Sequence, residues 1–308
     1  MSMWVVLAFI SALCLGGYDI SKKIALKGHR VVDVLTLSIL ISSLILSLPL
    51  ILSRLCPGVT EGTAFYVPRL DLQAHLLTLL KSCIVLSSWI FAYISLKHLP
   101  LSVVSPMQAT RPMWTLIGAL FLFGERLNGW QWTGVLLAIG TILVYSLSIR
   151  SSKKTRTPEG EKKYYIALVL AILIGSCSGL YDKFMMRHYD HNAVQVYYTF
   201  YQAAMMGIIW FVSRAKQTKS IQNSKIKIQN VLPIALISVF LVISDNVYML
   251  ALRDPDSLIA VVSTIRRGGA VIGFAYGLVF LQEPEPKKKI ACMIGIMAGL
   301  ICLALGSL

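Results

Sequence analysis

The chain has 308 residues, of which 56% are hydrophobic and only 14% charged, and its mean hydropathy is +0.71. These values exclude a soluble globular domain and indicate a multi-pass membrane protein without a separate soluble domain. The formal net charge of +15 would suggest a nucleic-acid partner in a soluble protein. Here, however, Lys and Arg are concentrated in a few loops beside apolar runs, which is a signal for the orientation of the chain in the bilayer. Five of the six cysteines fall inside apolar runs, which argues against a disulfide framework or a Cys-based zinc site.

Ten apolar runs of spanning length follow one another along the chain. A helix needs about 20 apolar residues to cross a bilayer, so we expect ten transmembrane helices. The first run lacks a basic flank before it and leads directly into lysines, so it is expected to be a retained span and not a cleaved signal. The predicted spans are residues 3–26, 32–53, 75–97, 102–124, 130–149, 164–186, 193–213, 231–252, 257–281 and 289–307.

The two sets of five predicted spans carry matching residues, which indicates an internal duplication. Segment 14–19 reads C-L-G-G-Y-D and segment 177–182 reads C-S-G-L-Y-D, so both have the form C-x-G-x-Y-D. Because five is an odd number, the second set enters the membrane from the opposite face, which makes the duplication an inverted repeat. We therefore predict an all-α integral membrane fold of ten transmembrane helices, built as two inverted five-helix repeats at 1–149 and 164–308 with a basic linker at 150–163.

Pairs of small residues four positions apart recur inside the predicted spans. Such pairs let helix backbones approach closely in a membrane. They can serve packing within the bundle or contact between protomers, so a homodimer stays open. The pairs are Ala12 with Gly16, Gly175 with Gly179, Gly273 with Gly277, and Gly295 with Gly299.

Two segments in corresponding places of the repeats carry a family resemblance. The first copy has L-K-H-L-P at 96–100 and L-F-G-E-R-L at 122–127, followed by Gly134 and Gly140, and the second has L-R at 252–253 and F-L-Q-E-P at 280–284, followed by Gly295 and Gly299. In these features the chain resembles the drug/metabolite transporter superfamily, and within it the EamA-like ten-helix members. The resemblance implies export or exchange of amino acids and related metabolites. The second copy departs from the pattern, since Gln282 replaces the glycine and an insertion follows at 285–289.

Arginines inside two predicted spans give the clearest functional signal. Arg111 lies between Pro106 and Pro112 in the fourth span, and Arg266 and Arg267 precede two glycines in the ninth. A guanidinium group in the hydrocarbon region is costly and almost always faces a bundle interior or an aqueous cavity. Pro and Gly loosen the helix at the same place, which favours a cavity there. A guanidinium group binds carboxylate or phosphate in a bidentate fork, so we expect a solute that carries one of these groups.

Further polar and aromatic side chains inside the spans complete the candidate site. Lys81 adds a cation, while the three intramembrane aspartates would balance charge or carry a proton. The alternative is that these groups form salt bridges that only hold the bundle together. Asp19 and Asp182, which lie nearer a helix end, could equally have a capping or ion-pair role there. For Arg266, pairing with an aspartate fits as well as contact with the solute. The predicted substrate-binding residues are Arg111, Arg267, Arg266, Gln108, Tyr18, Asp19, Tyr181, Asp182, Trp89, Tyr93, Asp245, Asn246, Tyr248 and Lys81.

Motifs for other functions do not stand out in the sequence. There is no Walker A sequence and no nucleophile elbow, so we predict that the chain is not an enzyme and needs no cofactor. His188 and His191 have a spacing that a metal could use, but a third ligand is missing, and no metal site is predicted. Glu125 and Glu283, at predicted helix ends, are interpreted as structural.

Together these features predict a secondary transporter of a small polar metabolite, carboxylate- or phosphate-bearing or zwitterionic, which works by alternating access at a central cavity. The solute would move by its own gradient, by exchange for a counter-solute or with a proton. One alternative is a flippase for a lipid-linked substrate, and another is an integral-membrane transferase. A transferase should place acid–base residues in a surface loop, but the long loops 54–74 and 214–230 carry only Glu61 and Asp71 as carboxylates.

The distribution of basic residues predicts the orientation of the chain in the cell (inner or plasma) membrane. Cytoplasmic loops carry the excess of Lys and Arg. Loops on the side of the termini carry five basic residues, Arg54, Arg69, Arg126, Arg187 and Arg253. The opposite side carries nineteen, namely Lys22, Lys23, Lys27, Arg30, Lys97, Arg150, Lys153, Lys154, Arg156, Lys162, Lys163, Arg214, Lys216, Lys219, Lys225, Lys227, Lys287, Lys288 and Lys289. Both termini are therefore predicted to be non-cytoplasmic.

Overall fold

The computed structural model describes residues 3–63, 65–123, 128–152, 159–215, 231–253, 259–282 and 286–306, and all regular secondary structure within these ranges is α-helical. The helices are α1 (Met3–Ala25), α2 (Val31–Leu55), α3 (Pro57–Thr60), α4 (Leu72–His98), α5 (Leu101–Ala109), α6 (Arg111–Phe123), α7 (Gly129–Ser152), α8 (Glu159–His188), α9 (His191–Ala215), α10 (Val231–Arg253), α11 (Ile259–Gly268), α12 (Ala270–Val279) and α13 (Pro286–Leu305). Glu125 and Glu283 lie outside the described residues.

The helices follow the predicted spans closely, with two informative differences. The fourth and ninth predicted spans are each divided into two helices, α5 and α6 around Thr110 and α11 and α12 around Gly269. α7 and α8 also extend into the predicted linker from both ends. Five helical stretches of the described chain, in α1, α2, α4, α8 and α10, are long and apolar enough to cross a membrane as single segments. The full count of ten spans remains a prediction.

Local caps fix where two of the long helices begin. Asp71 precedes α4 and its carboxylate accepts a hydrogen bond from the Ala74 backbone N–H at 3.1 Å. Asp190 precedes α9 and accepts bonds from the backbone N–H groups of Asn192 and Ala193 at 3.0 and 3.1 Å. Each aspartate satisfies amide groups that have no partner inside the helix, which sets the helix start.

Helices from the two halves of the chain pack against each other in matched pairs. α1 packs against α10 and α8 packs against α4, while α2 packs against α9 and α7 against α13. Serine hydroxyls join several of these pairs inside the bundle. Ser11 and Ser244 exchange bonds between α1 and α10, each hydroxyl donating to the other residue's carbonyl at 2.8 and 3.0 Å. Such polar contacts hold apolar helices together where the lipid offers no hydrophobic driving force between them.

One of the predicted small-residue pairs lies at a close helix crossing. Ala12 and Gly16 on α1 face the break between α11 and α12. A Cβ atom on Gly269 would collide with the carbonyl oxygen of Ala12, and a Cβ on Gly16 would lie 2.7 Å from Cβ of Ile272. Only glycine fits at positions 16 and 269 of this crossing. The close approach brings the end of α11, with its two arginines, against α1.

Candidate functional site

A polar cavity of about 150 Å³ lies between the two halves of the chain. A buried water needs about 10–15 Å³ by the same measure, so the cavity has room for a small metabolite or for roughly ten waters. Its walls come from α1, α4, α5, α6, α8, α9, α10 and α11. Twelve of the fourteen predicted site residues line it: Tyr18, Asp19, Lys81, Trp89, Tyr93, Gln108, Arg111, Asp182, Asp245, Tyr248, Arg266 and Arg267.

The two helix breaks place the arginines on the cavity. Arg111 is the first residue of α6, directly after the break at Thr110, and Pro112 next to it cannot donate a backbone hydrogen bond. Arg266 and Arg267 lie in the last turn of α11, directly before the break at Gly269. Interrupted helices with polar groups at the interruption are tolerated in a membrane where they line a cavity.

Three of the cavity's cations are paired with its three carboxylates. Lys22 lies 2.7 Å from Asp19 within α1. Lys81 of α4 forms an ion pair with Asp182 of α8, and Arg266 of α11 forms one with Asp245 of α10. The second and third pairs therefore join separate helices that line the cavity, while the first is local to one helix turn.

Arg111 and Arg267 have no carboxylate partner among the residues that the structure describes. Nη2 of Arg111 donates to the Ser88 hydroxyl at 3.3 Å and to the Ala171 carbonyl at 3.2 Å, while its Nε is buried without a partner. Neutral oxygens only partly satisfy a guanidinium group. The cavity thus keeps two cationic groups available to an anion that enters it.

Aromatic rings cover the cations of the paired groups. The Lys22 ammonium lies 4.0 Å from the ring centre of Tyr18, and the Arg266 guanidinium lies 4.2 Å from that of Tyr248. Lys81 lies 5.1 Å from the ring of Tyr198. These distances fit cation–π interactions, which hold a cation in place without neutralising it.

Two predicted site residues lie away from the cavity. The Tyr181 hydroxyl donates to the Leu77 carbonyl at 3.1 Å, so it joins α8 to α4. The Asn246 amide donates to side-chain oxygens of Asn192 and Gln195 at 3.3 and 3.1 Å, so it joins α10 to α9. Both polar groups bond between helices and neither lines this cavity, so a role of these two residues in substrate binding stays a prediction.

Several residues that line the cavity are not among the predicted site residues. Lys22 was counted as a loop cation, but it lies inside α1 and is only 3% exposed. Tyr198 was missed because a tyrosine in a span is ordinarily a packing residue, although it belongs to a polar stripe on α9 that repeats every three or four residues. That stripe comprises Asn192, Gln195, Tyr198, Thr199 and Gln202. The other polar lining residues that were missed are Ser88, Thr115 and Ser178.

The fold and the cavity define a multi-pass membrane protein with a charged central cavity, which is the architecture of a membrane transporter. Comparison with known proteins agrees: residues 2–147 match the EamA-like transporter family, which confirms the family resemblance over this part of the chain. No curated protein matches the sequence significantly. A solved structure described only as a crystal structure of a protein is similar, with a TM-score of 0.67 and 14% identity over 99% of this chain and 97% of that one. At this identity the likeness shows the fold alone.

Proposed function

We propose that the protein is a secondary transporter, an exporter or exchanger of a small metabolite that carries a carboxylate or phosphate group, an amino acid included. The solute binds in the central cavity, and alternating access exposes that cavity to each side of the membrane in turn. The proposal rests above all on Arg111 and Arg267, two cavity arginines without a carboxylate partner among the described residues.

The balance of charge in the cavity supports an anionic solute. Five cationic side chains line the cavity against three carboxylates, so a formal surplus of two positive charges remains after pairing. Taking charges out of water without a partner costs several kcal/mol per ion. A carboxylate or phosphate bound at Arg111 and Arg267 would offset that cost, because each forms charge-assisted hydrogen bonds with guanidinium groups. The surplus cations are Arg111 and Arg267, and the paired ones are Lys22, Lys81 and Arg266.

The packing of the helices supports alternating access by an inverted repeat. If α1 and α4 correspond to α8 and α10, the contact of α1 with α10 corresponds to the contact of α8 with α4. The same correspondence relates the two interrupted spans, α5–α6 and α11–α12. Symmetry-related contacts around one cavity allow the two halves to exchange conformations, which is how inverted-repeat transporters open to either side.

Thermal stability of the purified protein in detergent, measured against a panel of solutes, tests the proposed substrate class. The panel comprises L-malate, glycerol 3-phosphate, L-glutamate, L-alanine, glucose and choline. A ligand that binds only the folded state stabilises it by about 2.7 kcal/mol at a concentration of 100 times its Kd. We expect stabilisation by one or more of the anions or amino acids and none by glucose or choline. Stabilisation by choline or glucose alone would refute the anionic site.

A further inference from the structure

We propose that Asp245 is a proton-coupling group, and that its protonation frees Arg266 to bind the anionic substrate. This inference rests on the proposed function, because it assigns the coupling step of the same cavity. It is carried by a second, smaller cavity behind Asp245 and by the contacts of its carboxylate.

The smaller cavity, of about 10 Å³, lies between α2, α4, α9 and α10. Tyr198 and Asp245 line both this cavity and the central one, as do the apolar side chains of Trp89 and Leu241, so these four residues lie between the two cavities. Of the four, Tyr198 and Asp245 are the titratable ones. Gln202, which is 0% exposed, has neither amide atom hydrogen-bonded, and the buried Ser42 hydroxyl also lacks a partner. Buried amide and hydroxyl groups without a partner are unfavourable, because they have lost their hydrogen bonds to water. Because Gln202 presents both a donor and an acceptor, a water molecule satisfies this site better than a cation, and the space suffices for about one water.

The Asp245 carboxylate is held on both of its oxygens. Oδ2 accepts a hydrogen bond from the Tyr198 hydroxyl at 2.8 Å, and Oδ1 forms the ion pair with Arg266. A neutral aspartic acid at this position would need an acceptor for its new O–H group. The water site between Gln202 and Ser42 would supply that acceptor, whereas Asp19 and Asp182 do not line the smaller cavity.

Protonation of Asp245 converts a paired cation into a free one. A hydronium ion that reaches the central cavity transfers its proton to the carboxylate and remains as water. The carboxyl group is then neutral, so its Coulomb attraction to Arg266 is lost. Arg266 then offers its guanidinium group to the substrate anion, and its Nε already lacks a partner. By reciprocity, anion binding favours the protonated carboxyl group, so one proton and the anion bind together.

The other charged and titratable groups of the cavity set the field around Asp245. They are Tyr18, Asp19 and Lys22 on α1, Lys81 and Tyr93 on α4, Arg111 on α6, Asp182 on α8, Tyr198 on α9, Tyr248 on α10, and Arg266 and Arg267 on α11. α2 packs against α10 but contributes no titratable group to either cavity. Asp19 is the matched control, since its partner Lys22 lies on the same helix and it does not line the smaller cavity.

The test measures the Kd of L-malate and of glycerol 3-phosphate as a function of pH for the wild type, Asp245→Asn and Asp19→Asn. Protonation of the probe itself changes its affinity for all of these proteins alike. This effect therefore cancels when the wild-type affinity at each pH is divided by that of the variant. We expect wild-type affinity to rise by up to about tenfold per unit decrease in pH, the limit for one linked proton. Asp245→Asn should lose this dependence, because Arg266 is free at every pH, and Asp19→Asn should keep it.

Removing one partner of a buried ion pair can prevent folding, so the double variant Asp245→Asn with Arg266→Gln is measured as well. It should also lose the pH dependence, and it should bind more weakly than the wild type at low pH. A wild type whose affinity is independent of pH, or an Asp245→Asn variant that keeps the wild-type dependence, overturns the inference and leaves the proposed function standing. If no anion of the panel binds the wild type at any pH, the proposed function fails and this inference fails with it.

Discussion

The guanidinium group of Arg111 lies directly over Gly175: a Cβ atom on that glycine would be 2.6 Å from Cζ and 2.8 Å from Nη1 of the arginine. A glycine on α8 thus makes the space in which the arginine reaches Ser88 and the Ala171 carbonyl. The contact links a packing residue of one half of the chain to a cation of the other half.

Gly175→Ala should impair transport while the protein remains folded. The end of the Arg111 side chain is flexible, so it can move away from the new methyl group, but it then leaves its place in the cavity. We expect the affinity for an anionic substrate to fall by about tenfold or more, the equivalent of one charge-assisted hydrogen bond at about 1.5–3 kcal/mol. Binding and thermal unfolding of the purified variant would be measured together.

Gly179→Ala is the matched control, one helix turn along α8. A Cβ atom there would find Thr115 Oγ1 at 3.6 Å, an ordinary van der Waals contact. This variant should bind substrate like the wild type. Equal losses in the two variants would mean that α8 tolerates no methyl group on this face, and the specific role of the Arg111 contact would be refuted.

The sequence predicted most of the helix bounds, because hydrocarbon thickness requires long apolar runs and charges interrupt them. From the neighbouring Pro and Gly residues, the sequence also predicted loosened helices at Arg111 and at the adjacent Arg266 and Arg267. It could not predict that Tyr18 and Tyr181, matched by the repeat, differ in position: Tyr18 lines the cavity, while Tyr181 bonds to Leu77. Such differences depend on which carbonyl group or ring lies near the side chain in three dimensions. Neither hydropathy nor motif spacing predicts these neighbours.

Gly269→Ala should destabilise the protein. The added methyl group would meet the Ala12 carbonyl oxygen, which belongs to the α1 backbone and cannot move away by a side-chain rotation. Overpacking of this kind costs about 1–3 kcal/mol. Thermal unfolding in detergent would measure the loss. Gly207→Ala is the control, since its Cβ meets nothing within 4 Å, and it should leave the melting temperature unchanged or slightly raised.

The ion pair between Lys81 and Asp182 should show strong coupling in a double-mutant cycle. The lysine side chain is 3% exposed and the aspartate 20%, so removing one partner leaves a largely buried charge. Lys81→Met alone should destabilise by about 3–5 kcal/mol, and Lys81→Met with Asp182→Leu should recover most of that loss. If the losses of the single variants simply add in the double variant, the two residues do not act as a pair.

The orientation of the chain can be tested at Cys56, which is exposed and lies between α2 and α3 on the side of the termini. With Lys22 removed from the nineteen basic residues because it is buried in α1, eighteen remain against five, so the termini are still predicted to be non-cytoplasmic. In a variant with the other five cysteines replaced, a membrane-impermeant maleimide should label Cys56 on intact cells. Labelling only after permeabilisation would show the reverse orientation.

Solute flux through purified protein in liposomes tests the central claim most directly. Vesicles loaded with L-malate, glycerol 3-phosphate or L-glutamate are given the same labelled solute outside, and uptake is compared for the wild type, Arg111→Ala, Arg267→Ala and Gly207→Ala. We expect uptake of one or more of these solutes by the wild type and by Gly207→Ala, and at least about a tenfold loss in both arginine variants, which remain folded. Uptake at wild-type rates by both arginine variants would contradict the assignment of these two residues as the anion-binding groups of the transporter.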